Sequence, residues 1–206
     1  MINFFSKPEH LPRCTELGFK VVDCPAEVWQ NILKIYEVEK KNPNVEEFAE
    51  KSWMITGGDP AGNTEIFNLH NQHELRDKIH AQLLPLHEEW SGHKLIPTAV
   101  YGIRSYLDGV SLTMHADRIE THHISAIVVV DKDEREPWPL HIYDNFGKLH
   151  KVFAEPGQII LYESAICKHG RPDPFQGKYF RNFYVHYKLA DWRFVSVVKR
   201  VRKRSL

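Results

Sequence analysis

The sequence predicts a mainly β protein with flanking helices: a sandwich or barrel of short strands in the second half, braced by helices in the first. Three observations lead there. After Pro97 the chain breaks into eight short apolar runs separated by turn residues, at 99–106, 111–115, 124–131, 139–143, 149–153, 158–163, 167–170 and 179–188. Before residue 95, apolar residues recur at helical spacing in two places. The helices precede the strands instead of alternating with them, an order that argues against a βαβ fold.

Pro25 suits a first helical turn, and Val28, Ile32 and Ile35 then share one face through about Glu39. From His73 to Trp90, the positions of Leu75, Ile79, Leu83, Leu86 and Trp90 keep the same period, with Pro85 expected to bend or interrupt the helix. Turn chemistry in Lys41-Asn-Pro-Asn44 and in residues 56–64 places loops between the helices. The double glycine at 57–58 lacks the Gly-Lys-Ser/Thr ending of a phosphate loop and reads as a turn. Ile124 to Val130 is apolar without alternation, as in a strand buried on both faces.

At 206 residues the chain suits one domain, with a helical part at 1–95, a β core at 96–190, and a C-terminal strand with a basic tail at 191–206. Lys+Arg and Asp+Glu balance at 27 each, so overall charge favours neither nucleic acid nor a membrane surface. The tail concentrates five cations in six residues from Lys199 to Arg204 and is read as a solvated terminus. Three cysteines without metal or redox spacing, no apolar run of membrane-spanning length and no secretory leader point to a cytoplasmic protein.

The chemistry concentrates in His115-x-Asp117 and His169. Alternate strand residues face the same way, so His115 and Asp117 can reach one ion from a single segment, and His169 completes two imidazoles and a carboxylate. That set suits a non-haem Fe(II) with open positions for co-substrate and O₂. A His-x-Asp alone says little, since roughly 0.6 copies would arise by chance in such a composition. The adjacent pair His122 and His123 points to opposite faces and makes a poor ligand set.

The register around these residues is more telling. Tyr106-x-x-Gly109-x-x-Leu112-x-x-His115-x-Asp117 is followed by a Pro156-Gly157 turn, by Lys168-His169-Gly170-Arg171-Pro172, and by Gly177-Lys178-Tyr179. From about Tyr101 to Lys188 the chain resembles the prolyl 4-hydroxylase-like branch of the Fe(II)/2-oxoglutarate dioxygenases. That resemblance implies a double-stranded β-helix, or jelly roll, braced by the N-terminal helices. It also implies His115, Asp117 and His169 as iron ligands, with 2-oxoglutarate and O₂ as co-substrates and ascorbate as an accessory reductant. Asp117 stands where related halogenases carry a small residue, so oxygen insertion is favoured.

The resemblance assigns Lys178 to the far carboxylate of 2-oxoglutarate, with a hydrogen bond added by Tyr106. Strand parity then places Phe180, Asn182, Tyr184 and His186 inward with Lys178, sends Arg181 outward, and turns Arg104 inward with Tyr106. Arg104, Arg171 and Trp138 are candidates for the substrate mouth. Leu112 and Val129 occupy positions where relatives carry tyrosines. The implied activity is hydroxylation of a prolyl residue in a peptide or protein. Hydroxylation of a free amino acid or another small molecule, nucleic-acid demethylation, and a non-enzymatic cupin-like metal module are the alternatives. The basic groove a demethylase needs is disfavoured by the charge balance, and the cupin reading by Lys178.

Overall fold

A computed structural model describes residues 11–40, 44 and 45, 54–58, 63–67 and 72–192. The basic tail, and with it the strand expected beyond residue 192, lies outside the described residues. In chain order the elements are β1 (Phe19–Asp23), α1 (Ala26–Glu39), β2 (Asn44–Val45), β3 (Ile55–Gly57), β4 (Thr64–Phe67), α2 (His73–Ser91), β5 (Leu95–Tyr106), β6 (Val110–His115), β7 (Ile124–Glu134), β8 (Leu140–Tyr143), β9 (Leu149–Val152), β10 (Gln158–Tyr162), β11 (His169–Arg171) and β12 (Gly177–Leu189). All eight expected strands form, with ends moved by a few residues.

The strands make two antiparallel sheets, ordered β1-β10-β7-β12-β5-β4-β2 and β3-β6-β11-β8-β9. This is the jelly roll. Its interior holds Ile127, Val129, Ile160 and Phe180 from the larger sheet against Val110, Leu112, Leu140 and Ile142 from the smaller one. The other face of the larger sheet presents Ala126, Val128, Val130, Phe183 and Val185 to Val28, Ile32 and Ile35 of α1 and Ile79 and Leu83 of α2. β7 lies mid-sheet between these two layers, which explains why its sequence is apolar without alternation.

Pro85 does not break α2, which runs unbroken to Ser91. Pro85 and Ala81 are both exposed, so the carbonyl deprived of its helical N–H faces water at little cost. The helix ends at Gly92, whose left-handed φ of 71° lets its N–H bond Glu88 O at 2.9 Å.

The first 95 residues are less helical than expected. β1 pairs with β10, β3 with β6 and β4 with β5, so this part extends both sheets as well as bracing one of them. The loop expected at 56–64 is correspondingly narrower, since Thr56, Gly57 and Thr64 are strand residues. Runs of three to five residues are too short to reveal a period of two.

Candidate metal centre

The smaller sheet brings the triad together. His169 of β11 pairs directly with His115 of β6, and their rings lie 4.6 Å apart between centroids. Asp117 follows two residues after His115, anchored by its N–H to Ser164 O at 2.9 Å. Asp117 Oδ1 lies 3.5 Å from His115 Nε2 and 3.9 Å from His169 Nε2. One donor atom from each residue falls within 4.8 Å of the others, a set that could hold one metal ion.

Each imidazole is fixed by its other nitrogen. His115 Nδ1 donates to Thr113 O at 2.7 Å, and His169 Nδ1 donates to Cys167 O at 2.8 Å. A carbonyl only accepts, so the proton of the neutral ring sits on Nδ1, and Nε2 turns its lone pair toward Asp117. Backbone carbonyls holding the far nitrogen of each ring in this way orient histidines for a metal.

Electrostatics favour that neutral state at His169 and the anionic state at Asp117. Burial pushes His169 down to about 4, only partly opposed by Asp117, which keeps it neutral. Burial would raise Asp117, but its bond to His115 and the neighbouring imidazoles hold the carboxyl well below the usual carboxylate range. His115 loses to burial and gains more from Asp117 and Thr113, so it moves upward. Once a metal displaces the proton that Asp117 favours on His115, the donor set is two neutral nitrogens and one anionic oxygen, which fits an octahedral divalent ion with open positions.

A second ring of polar and aromatic groups surrounds the triad. His186 of β12 is buried with Nδ1 at 4.0 Å from Asp117 Oδ2 and 2.7 Å from Ser125 Oγ. The His122 ring lies tilted against His186 at 3.9 Å, with Tyr101 Oη at 3.0 Å from its Nε2, and Tyr162 packs edge-on against His169 at 4.7 Å. His123 turns the other way, as expected, with its ring held by Ile119 O and Leu189 N. Parity placed His186 inward, but sequence reading assigned no role to His122, Tyr101 or Tyr162. They reach the site through tertiary packing.

Lys178 does not face the barrel. Its side chain is 80% exposed and pairs with Asp133 at 3.0 Å. The cause is a register shift in the β12–β7 ladder between Gly177 and Tyr179, which ends the parity counted back from Phe180. Arg181 points outward as expected, stacked on Tyr179 at 3.6 Å and over Phe67 at 5.0 Å beneath the helical layer. Neither Lys178 nor Arg181 reaches the triad.

Tyr106 does lie inside the barrel, its hydroxyl 2.9 Å from that of Tyr184. Arg104 is partly buried, 5.7 Å from the Tyr184 ring. Trp138 and Arg171, expected at the mouth, are instead deep in the interior. Trp138 is 4% exposed, donates from Nε1 to Asp173 O at 2.7 Å, and packs against Tyr106, Phe175 and Phe180. Arg171 is 3% exposed between the rings of Trp138 and Phe180.

No protein-family profile matches the chain, and no curated protein matches it. Among solved structures, a prolyl-4-hydroxylase from Pseudomonas putida superposes with a TM-score of 0.56 at 15% identity, covering 84% of this chain and 93% of that one. The chain has the fold of the Fe(II)/2-oxoglutarate oxygenases. AviO1 from Streptomyces viridochromogenes gives 0.60 at 15% identity over 89% of this chain and 95% of its own. HygX from Streptomyces hygroscopicus, solved with nickel, 2-oxoglutarate and hygromycin B, gives 0.57 at 14% identity over 86% of each chain.

Proposed function

We propose that the protein is an Fe(II)- and 2-oxoglutarate-dependent hydroxylase. The observation that carries this reading is the convergence of His115 Nε2, Asp117 Oδ1 and His169 Nε2 within 4.8 Å, on paired strands of a jelly roll. The nickel and 2-oxoglutarate bound by HygX support the choice of metal and co-substrate. When bound, the pair supplies oxidative decarboxylation of the oxo acid coupled to hydroxylation of a substrate C–H bond. The chain's own part is orientation and exclusion of water. Thr113 and Cys167 hold the two imidazoles in one tautomer, and Tyr162 packs edge-on against His169.

A prolyl residue in a peptide or protein is the proposed substrate, supported by the Tyr106-to-Asp117 register and by the superposition on the bacterial prolyl-4-hydroxylase. A small molecule is the second reading, favoured by HygX, whose structure contains hygromycin B. Succinate release with Fe(II) and 2-oxoglutarate, measured alone and with a panel of proline-containing peptides and small molecules, tests both. A peptide that stimulates release and gains one oxygen supports the first reading. Oxygenation confined to small molecules supports the second and removes the first.

A further inference from the structure

Arg171 is a buried cation without an anion. Its guanidinium lies 4.4 Å from the Phe180 ring centre and 4.8 Å from that of Trp138, and Nη1 donates to Trp138 O. Among the described residues no carboxylate forms an ion pair with it. Glu134 is the acidic group that acts on it electrostatically, but Oε1 of Glu134 is held by Lys132 at 2.7 Å and Oε2 accepts from Trp138 N at 3.2 Å. A guanidinium carries five N–H donors, and rings with one carbonyl leave most of that capacity unused. Taking such a charge out of water is costly unless an anion joins it.

Two further donors are nearby. Tyr106 and Tyr184, both felt electrostatically by Arg171, share one hydrogen bond of 2.9 Å, and Asn182 Nδ2 donates to Tyr184 Oη at 3.2 Å. A phenol pair of this kind has a proton to offer an incoming oxygen. Arg171 also follows His169 by two residues on β11, about 7 Å along the strand; the ladder to β6 shifts register between them, and the contacts with Trp138 and Phe180 place the Arg171 side chain in the same interior. A short dicarboxylic acid can span that interval, with one end at the metal donors and the other at the guanidinium.

We propose that Arg171, aided by the hydroxyls of Tyr106 and Tyr184, receives the far carboxylate of 2-oxoglutarate. The assignment rests on the metal-site reading above. It moves the clamp from β12, where Lys178 is exposed, to the strand that carries the distal histidine, and it exploits the bidentate fork of a guanidinium. Arg104, partly exposed and 5.7 Å from the Tyr184 ring, is the rival cation.

The test compares two probes on the Fe(II)-loaded protein under nitrogen: 2-oxoglutarate and 2-oxobutyrate, which keeps the oxo-acid end but lacks the far carboxylate. Binding is read from the visible absorption of the Fe(II)–oxo-acid chelate and from thermal shift, without turnover. Arg171→Met should lose at least about tenfold in affinity for 2-oxoglutarate and stay within about twofold for 2-oxobutyrate, the signature of a lost charge-assisted bond. Tyr106→Phe and Tyr184→Phe should show smaller losses of the same selectivity, and Lys178→Ala should keep the wild-type ratio. Retention of that ratio in Arg171→Met, or its loss in Arg104→Met instead, would overturn the assignment. If Arg171→Met does not fold, the two phenylalanine variants decide, and wild-type selectivity in both overturns it. Failure of the wild type to bind either acid overturns the metal reading and this assignment with it.

Discussion

His169 stands directly across the ladder from His115, and each ring is tied through Nδ1 to a carbonyl two residues before it in the chain. The metal geometry is therefore a property of the sheet, fixed before any ion arrives. Alanine at His115, Asp117 or His169 should leave the fold intact and abolish the thermal stabilisation given by a divalent ion. That stabilisation is about 2.7 kcal/mol in the wild type at a hundredfold excess over Kd. Turnover should fall more than about tenfold, at least 1.4 kcal/mol in barrier height. Calorimetric melts with and without metal, alongside succinate release, check both halves.

Gly170 separates His169 from Arg171 where β11 crosses β6. A Cβ there would stand 2.8 Å from the carbonyl oxygens of Leu112 and Thr113, and the Thr113 oxygen is the one that orients His115. Gly170→Ala should push the strands apart, costing about 1–3 kcal/mol in stability and weakening metal binding along with it. Urea unfolding combined with metal titration checks the coupling. A variant that loses stability and keeps wild-type metal affinity would show that the ladder does not set the site.

His87 is fully buried, bonded through Nδ1 to Leu83 O at 2.7 Å, while its Nε2 has no hydrogen-bond partner among the described residues. Burial, only partly opposed by that bond, pushes it from the ordinary 6.5 to about 4. Between those values the unfolded chain takes up a proton that the folded protein refuses. The stability tied to neutral His87 is thus complete above about pH 6.5 and declines as pH falls toward about 4, where the loss stops. The interval corresponds to about 3 kcal/mol. His87→Leu should flatten the stability curve between pH 6.5 and 4 by an amount of that order, measured by urea unfolding at several pH values.

Glu163 is buried and accepts hydrogen bonds from Cys14 N at 3.0 Å, Thr15 N at 2.8 Å, Thr15 Oγ1 at 2.7 Å and Asn145 Nδ2 at 3.3 Å. It ties the segment before β1 to the loop after β10. Glu163→Ala leaves four donors without their acceptor and should cost about 3 kcal/mol. Glu163→Gln, which keeps one carbonyl oxygen, should cost less. Equal unfolding midpoints for wild type and alanine variant would contradict this role.

Much of the site was legible from spacing, and the physical reason is periodicity. Asp117 follows His115 by two residues, and Phe180, Tyr184 and His186 keep to the inner face at intervals of two or four, so their facing could be counted. Lys178 failed because the count crossed a register shift that leaves no mark in composition. Arg171, two residues after His169, and Trp138, between Pro137 and Pro139, read as candidates for the mouth from position alone. Their burial follows from how Phe175 and Phe180 pack around them, which no local pattern reports. β3 and β4 escaped notice because each is stabilised by a partner strand distant in sequence.

The central claim is oxygenation driven by 2-oxoglutarate at the His115, Asp117 and His169 centre. The most direct measurement is succinate formed per 2-oxoglutarate consumed under air, in wild type and His169→Ala, with and without added Fe(II). The account predicts iron-dependent, near-stoichiometric succinate from the wild type and none above the metal-free blank from His169→Ala. Equal succinate from the two proteins, or none from the iron-loaded wild type across the full substrate panel, would contradict it.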